Sequence, residues 1–95
     1  MIHVSVREDK IRVLGHANYA PLGKDIVCAA VSALTQNLIK SIESLTNDFI
    51  VYGMWSGRIE IEYENLSETS KTLIDSFFIG ICAIVEGYPQ YIEIV

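Results

Sequence analysis

The residues of this sequence that can do chemistry lie together, in the stretch GHANYAPLGKDIVC at residues 15–28. His16 lies near the start of that stretch and Cys28 at its end, twelve positions later. A histidine beside a cysteine can take the thiol proton, which gives a thiolate–imidazolium pair that attacks carbonyl carbon atoms. The two residue types therefore indicate nucleophilic catalysis, provided that the fold brings their side chains together.

The position of Cys28 favours a reactive thiol. Asp25 is a natural N-cap residue, and apolar residues then recur at three- and four-residue steps from Val27 to Leu45, which predicts a helix of about five turns. Cys28 would lie in the first turn, where free N–H groups and the helix dipole stabilise negative charge and can also hold an oxyanion. At about 100° per residue Cys28 lies at the rim of the apolar stripe, and Ser32 shares that rim.

The segment between the two side chains predicts a loop that can move. It has no apolar periodicity, and Pro21 biases the residue before it away from the helical region. Gly15 and Gly23 permit backbone angles that other residues avoid. Because His16 directly follows a predicted strand, the sheet can fix its backbone while the rest of the loop returns to the helix start.

The other patterns predict five strands and a second helix in the order ββαββαβ. The predicted strands cover residues 2–7, 10–14, 49–52, 58–63 and 91–95, with a turn at residues 53–57. Asn65 or Ser67 can cap the second helix, which ends at Gly87 and Pro89. Its predicted buried stripe contains Leu73, Phe77, Ile81, Ile84 and Val85. Hairpins in this order predict an α+β fold: a two-layer, mostly antiparallel sheet with both helices on one face.

Length and charge restrict the class of protein. A chain of 95 residues makes one domain, over residues 1–95, and its two cysteines are expected to be free thiols, with Cys82 in the core. The net charge of −5 and the absence of a basic run argue against a nucleic-acid surface, and a positively charged peptide or protein suits that balance better. We expect no membrane span and no signal peptide, hence a cytoplasmic protein, and no metal or cofactor site.

Each candidate residue also has an ordinary structural interpretation. Cys28 can be a small buried side chain, and His16 a solvated loop residue. Asp25 can serve only as a helix cap, since a carboxylate bonded to its own helix is less free to orient an imidazole. The hydroxyl of Ser32 can bond to backbone or solvent.

The segment GHANYAPLGKDIVCAAVSAL resembles the ribosomal-processing cysteine proteases of the Prp family. The histidine after glycine, the spacing to the cysteine and the run DIVCAAVSAL at the start of a helix carry this resemblance. The resemblance extends over the whole chain, through the order of elements, an acidic second hairpin and the ending EGYPQYIEI.

The resemblance implies that Cys28 is the nucleophile and His16 its base, with Asp25 and Ser32 in supporting roles. It also implies a mobile loop over the site, whose substrate-binding residues would be Gly15, Asn18, Tyr19, Pro21, Leu22 and Gly23. The implied protein is a homodimer without a cofactor. Its implied partner is a basic large-subunit ribosomal protein, the one numbered twenty-seven, from which it removes an N-terminal extension. The alternative is a non-catalytic module that docks on a ribosomal protein during ribosome assembly.

Overall fold

Five strands and two helices follow one another in the order ββαββαβ in the computed structural model, which describes residues 1–95. They are β1 (Ile2–Val6), β2 (Lys10–Leu14), α1 (Ile26–Leu45), β3 (Ile50–Trp55), β4 (Arg58–Tyr63), α2 (Glu68–Gly87) and β5 (Ile92–Ile94). This confirms the predicted α+β class and element order. Ser67, rather than Asn65, caps α2.

The strands form one sheet in the spatial order β3-β4-β2-β1-β5. Every neighbouring pair is antiparallel except β1 and β5, which run parallel. The parallel pair arises because α2 carries the chain back across the sheet, as a parallel connection requires. Neither helix combines the length and the apolar character that a membrane crossing needs.

One face of the sheet packs against both helices. Along β4, the isoleucines and Tyr63 are buried while Arg58 and Glu62 are exposed, as the predicted alternation requires. The core also includes Val27, Val31, Leu38, Ile39 and Ile42 of α1. In α2 the buried residues are Ser70, Ile74, Phe77 and Ile81. The predicted stripe of α2 is therefore partly wrong: Leu73, Ile84 and Val85 are half-buried and pack on the rim of the core. Cys82, predicted to lie in the core, is half-buried and is not part of it.

The second hairpin is tighter than its sequence predicts. Strand β3 continues through Gly53 to Trp55, and only Ser56 and Gly57 form the turn, with φ 70° at Gly57. The prediction placed Gly53 in the turn, but this glycine lies within β3, and the indole of Trp55 lies over it. A side chain at Gly53 would occupy the space of that ring.

Several strand ends meet at one end of the sheet. β1 begins there, β2 ends there, and the β3–β4 turn lies beside them. Gly15, directly after β2, donates its N–H to the carbonyl of Gly57 at 2.8 Å and has φ 93°. A Cβ on Gly15 would lie 2.5 Å from the carbonyl oxygen of Met1, so the loop leaves the sheet through a gap that only glycine fits.

Tyr63 links β4 to the β1–β2 turn at the other end of the sheet. Its hydroxyl donates to the carbonyl of Arg7 at 2.6 Å, and the residue is 7% exposed. Burial, and then the negative charge of Asp9, raises the pKa of Tyr63 to about 12. The folded protein thus stabilises the neutral phenol relative to the phenolate.

We predict that Tyr63→Phe lowers the free energy of unfolding at neutral pH by about 1 kcal/mol, because the Arg7 carbonyl loses its donor. The raised pKa means that wild-type stability falls as pH rises from about 10 towards 12, since the unfolded chain releases the phenolic proton first. The variant has no phenol at this position and lacks this loss, so the difference in free energy of unfolding between the two proteins narrows over that pH range. Denaturant titrations at several pH values test this, with Tyr52→Phe, an exposed tyrosine, as control. A difference independent of pH would contradict the prediction.

Candidate active site

Asp25 joins the start of α1 to the loop that precedes it. Its Oδ1 accepts the N–H groups of Val27 and Cys28, each at 3.0 Å. Its Oδ2 accepts the N–H groups of Tyr19, at 3.0 Å, and Ala20, at 3.4 Å. One carboxylate therefore caps the helix and holds the loop against it.

The charge of Asp25 is stabilised by these contacts. Partial burial would raise the pKa of Asp25, but the N–H groups of Cys28, Tyr19 and Ala20 and the thiol of Cys28 outweigh it, and the pKa is lowered. The carboxylate is thus ionised at neutral pH. No hydrogen bond joins it to His16, so in this structure Asp25 is a helix cap and a loop anchor rather than a partner of the imidazole.

Cys28 is half-buried in the first turn of α1, at the rim of the buried face as its position in the sequence predicts. Its Sγ accepts the backbone N–H of Ala17 at 3.4 Å. No hydrogen bond joins Sγ to His16. The proposed nucleophile and base line the same two cavities, but they are not hydrogen-bonded to each other in this state.

His16 is exposed, and its ring lies over the β3–β4 turn. A Cβ built on Gly57 would lie 2.7 Å from Nε2 and 3.2 Å from Cε1 of the imidazole, so the glycine leaves room for the ring. The carbonyl of His16 also accepts a hydrogen bond from the amino group of Met1 at 2.7 Å. The histidine backbone is thus fixed by the sheet, as predicted, while its ring rests on a neighbouring turn.

Two cavities meet at this site, and His16, Cys28 and Ser32 line both of them. The smaller has a volume of about 250 Å³ and extends over the end of the sheet to the β3–β4 turn. Its other lining residues are Ile2, Val13, Gly15, Val31, Trp55, Ser56, Gly57, Arg58 and Ile59. The larger, of about 520 Å³, lies under the loop. A peptide that crosses Cys28 would have one cavity on each side of the sulfur.

The loop places some predicted substrate-binding residues on the larger cavity and not others. Asn18, Leu22 and Gly23 line it, and the side chain of Leu22 is fully exposed. Tyr19 instead packs edge-to-face against Tyr88 and Tyr91, with ring centroids 5.5 and 5.1 Å away. Tyr19 therefore anchors the loop to the end of α2. Pro21 is exposed beside the cavity without lining it.

A larger cavity lies elsewhere on the molecule. It has a volume of about 780 Å³ and is bordered by the β1–β2 turn and the start of α2. It contains neither histidine nor cysteine, so it lacks the residue types of a cysteine–histidine site. No group of three or more histidine, cysteine or carboxylate side chains is arranged to hold a metal ion.

Two contributors to the site have no signal in the sequence. Gly57 is far from His16 along the chain, and a glycine in a hairpin turn is explained by the turn alone. The N–H of Ala17 belongs to the backbone, so no residue type indicates it. Both become visible only when β2, the turn and α1 are placed together.

We predict that Gly57→Ala displaces the imidazole of His16, whereas Gly23→Ala does not. Both glycines have positive φ, at 70° and 85°, so both substitutions carry a similar backbone strain of about 1 to 2 kcal/mol. Only a Cβ at Gly57 meets the ring, since nothing lies within 4 Å of one at Gly23. NMR spectra of the imidazole nitrogens and carbon-bound protons should shift in the first variant alone. Equal shifts in both variants would contradict this role of Gly57.

A family model and several solved structures match this chain over almost its whole length. The family model described as "Cysteine protease Prp" matches residues 1–93. The structure is similar to the essential ribosomal processing protease Prp of Staphylococcus aureus in complex with a covalently linked product peptide, with 21% identity, a TM-score of 0.89, and coverage of 98% of this chain and 94% of that one. The same protease with a substrate peptide gives 20% identity, a TM-score of 0.83, and coverage of 99% and 95%.

SMU.848 from Streptococcus mutans is also similar, with 27% identity, a TM-score of 0.79, and coverage of 98% of this chain and 89% of that one. A search of curated proteins gives no significant match. The structural similarities confirm the predicted fold. The family model decides between a protease and a non-catalytic docking module in favour of the protease. Because that model spans almost the whole chain, the chain belongs to the cysteine protease Prp family.

Proposed function

We propose that this enzyme removes an N-terminal extension from a basic ribosomal protein of the large subunit, the one numbered twenty-seven, with Cys28 as nucleophile and His16 as base. The observation that carries the proposal is the position of Cys28, in the first turn of α1, where both cavities and His16 meet. The similar Staphylococcus aureus enzyme is described as a ribosomal processing protease with bound peptides, which supports this choice of substrate.

The reaction is acyl transfer through a thioester. His16 takes the proton of Cys28, and Sγ attacks the scissile carbonyl to form a tetrahedral oxyanion. The imidazolium then protonates the leaving amine as the C–N bond breaks. Water, deprotonated by His16, attacks the thioester, and the acid and the thiol are released. Because His16 and Cys28 are not hydrogen-bonded in this state, the imidazole must move from its place over the β3–β4 turn when the peptide binds.

Asp25 and Ser32 support this reaction in different ways. Asp25 holds the loop on the helix start and so keeps the backbone of His16 near Cys28. The hydroxyl of Ser32 makes no hydrogen bond within the protein and lines both cavities, so it is free to bind a polar group of the substrate. The acidic chain, with a net charge of −5, suits a basic substrate.

The proposal also includes a cytoplasmic homodimer, as in the family that the sequence resembles. Ribosomal proteins are assembled in that compartment, and the two cysteines are free. The exposed part of the loop would close over the peptide, and Leu22 would contact it, while Gly15 would line the smaller cavity at the fixed end of the loop. Such closure would complete the site only on a correct, long peptide, which explains how a thiol protease avoids unspecific cutting.

Cleavage of the extended N-terminal peptide of that ribosomal protein, followed by mass spectrometry, tests the proposal. The wild-type protein should cut the peptide once, Cys28→Ala should not cut it, and His16→Ala should cut it about 10² to 10⁴ times more slowly. The matched controls are Cys82→Ala and His3→Ala, since both residues lie outside the site. Both should cut at the wild-type rate. Binding without cleavage by the wild-type protein, or cleavage by Cys28→Ala, would contradict the proposal.

The loop contact has its own test. Leu22 is a fully exposed apolar side chain on the larger cavity, and covering it with substrate contributes about 1.5 to 3 kcal/mol. We predict that Leu22→Ser raises KM for the extended peptide by about tenfold or more, while leaving thermal stability unchanged. Leu45→Ser, at the far end of α1 and 66% exposed, is the control and should leave KM unchanged. An unchanged KM in the Leu22 variant would show that the loop does not contact the peptide.

A further inference from the structure

We propose that the backbone N–H of Ala17 is a donor of the oxyanion hole. This inference rests on the proposed role of Cys28 as nucleophile. It assigns a catalytic contact to the residue next to His16, so that the base and the oxyanion donor are consecutive in the chain.

The N–H groups at the start of α1, which the sequence predicts as oxyanion donors, are already used. Those of Val27 and Cys28 donate to Oδ1 of Asp25, and that of Ala29 donates to the backbone carbonyl of Asp25 at 3.1 Å. Ile26 has a free N–H, but two residues correspond to about 200° around the helix axis, which places it away from Cys28. The predicted donors are therefore not available to a substrate while Asp25 caps the helix.

The N–H of Ala17 is in the position that the reaction needs. It lies 3.4 Å from Sγ of Cys28, and the sulfur is its hydrogen-bond acceptor. In the tetrahedral intermediate, the oxyanion and Sγ are bonded to the same carbon atom. A donor within hydrogen-bond distance of the sulfur is thus within reach of that oxygen, to which a short, charge-assisted bond is stronger than a bond to sulfur.

This donor is also held in place before the substrate binds, which an oxyanion donor requires. Ala17 is 2% exposed and belongs to the hydrophobic core. On one side, the N–H of Gly15 is bonded to the Gly57 carbonyl. On the other side, the N–H groups of Tyr19 and Ala20 are bonded to Asp25. The loop residues that flank Ala17 are thus fixed at both ends, although the tip of the loop is exposed.

Ala17 acts on the oxygen and not on any transferred proton. The Sγ–C bond forms, the π electrons of the carbonyl move onto its oxygen, and Ala17 donates a hydrogen bond without losing its proton. On collapse the carbonyl re-forms, the C–N bond breaks, and the amine takes the proton from the His16 imidazolium. Ala17 therefore lowers the barrier without taking part in proton transfer.

An amide-to-ester substitution tests this role without changing a side chain. The full chain can be joined by chemical ligation at Cys28, with lactic acid in place of Ala17, so that an ester oxygen replaces the N–H group. The matched control carries α-hydroxyglutaric acid in place of Glu8, in the β1–β2 turn, whose N–H makes no hydrogen bond within the protein. For each refolded chain, we would measure kcat for peptide cleavage and the rate of Cys28 alkylation by iodoacetamide. Alkylation forms no oxyanion on a substrate carbonyl.

We expect the ester at Ala17 to lower kcat by about 10² to 10³. The alkylation rate should fall far less, because alkylation loses only the weak hydrogen bond from this N–H to Sγ. The ester at Glu8 should behave as the all-amide chain. An unchanged kcat for the Ala17 ester would overturn the proposal. A fall of the same size in kcat and in the alkylation rate would also overturn it, because the N–H would then stabilise only the thiolate and not the oxyanion. If the refolded all-amide chain itself does not cut the peptide, the proposed function fails, and this inference fails with it.

Discussion

The candidate site depends on one carboxylate that accepts four N–H groups. Asp25 receives two from the start of α1 and two from the loop, so the helix that carries Cys28 and the loop that carries His16 share one anchor. A serine or threonine can cap a helix equally well, but a single hydroxyl oxygen cannot also hold a loop in this way. The same arrangement withdraws the helix N–H groups from a substrate and leaves the N–H of Ala17 beside the sulfur.

Most of the fold could be predicted from the sequence because its patterns are local. Alternation in β4 and the three- and four-residue steps in α1 each report which side of an element is buried, and hairpins restrict how the strands can be arranged. The errors came from tertiary packing. Gly53 lies inside β3, where its lack of a side chain leaves room for the indole of Trp55, and three residues predicted to be buried on α2 are only half-buried at the rim of the core.

The site was less predictable than the fold. The residue types and spacing indicated His16, Cys28, Asp25 and Ser32, and the structure brings them to one end of the sheet. Sequence left open whether Asp25 caps the helix or orients the imidazole, and hydrogen-bond geometry was needed to choose the cap. Gly57 and the N–H of Ala17 act through a close approach and a backbone atom, which no side-chain pattern encodes.

The most direct measurement of the central claim is peptide cleavage by Asp25→Asn. Asparagine is an equally good N-cap, but its Nδ2 cannot accept the N–H groups of Tyr19 and Ala20. Loss of a negative charge beside Cys28 would itself favour a thiolate. A fall in activity would therefore result from release of the loop and not from a change in the thiol. Asp75→Asn, on the exposed side of α2, controls for charge.

We predict that Asp25→Asn keeps its helix content by circular dichroism and cuts at least tenfold more slowly, while Asp75→Asn cuts normally. Cleavage by Asp25→Asn at the wild-type rate would contradict the account, because the loop would then need no anchor on the helix.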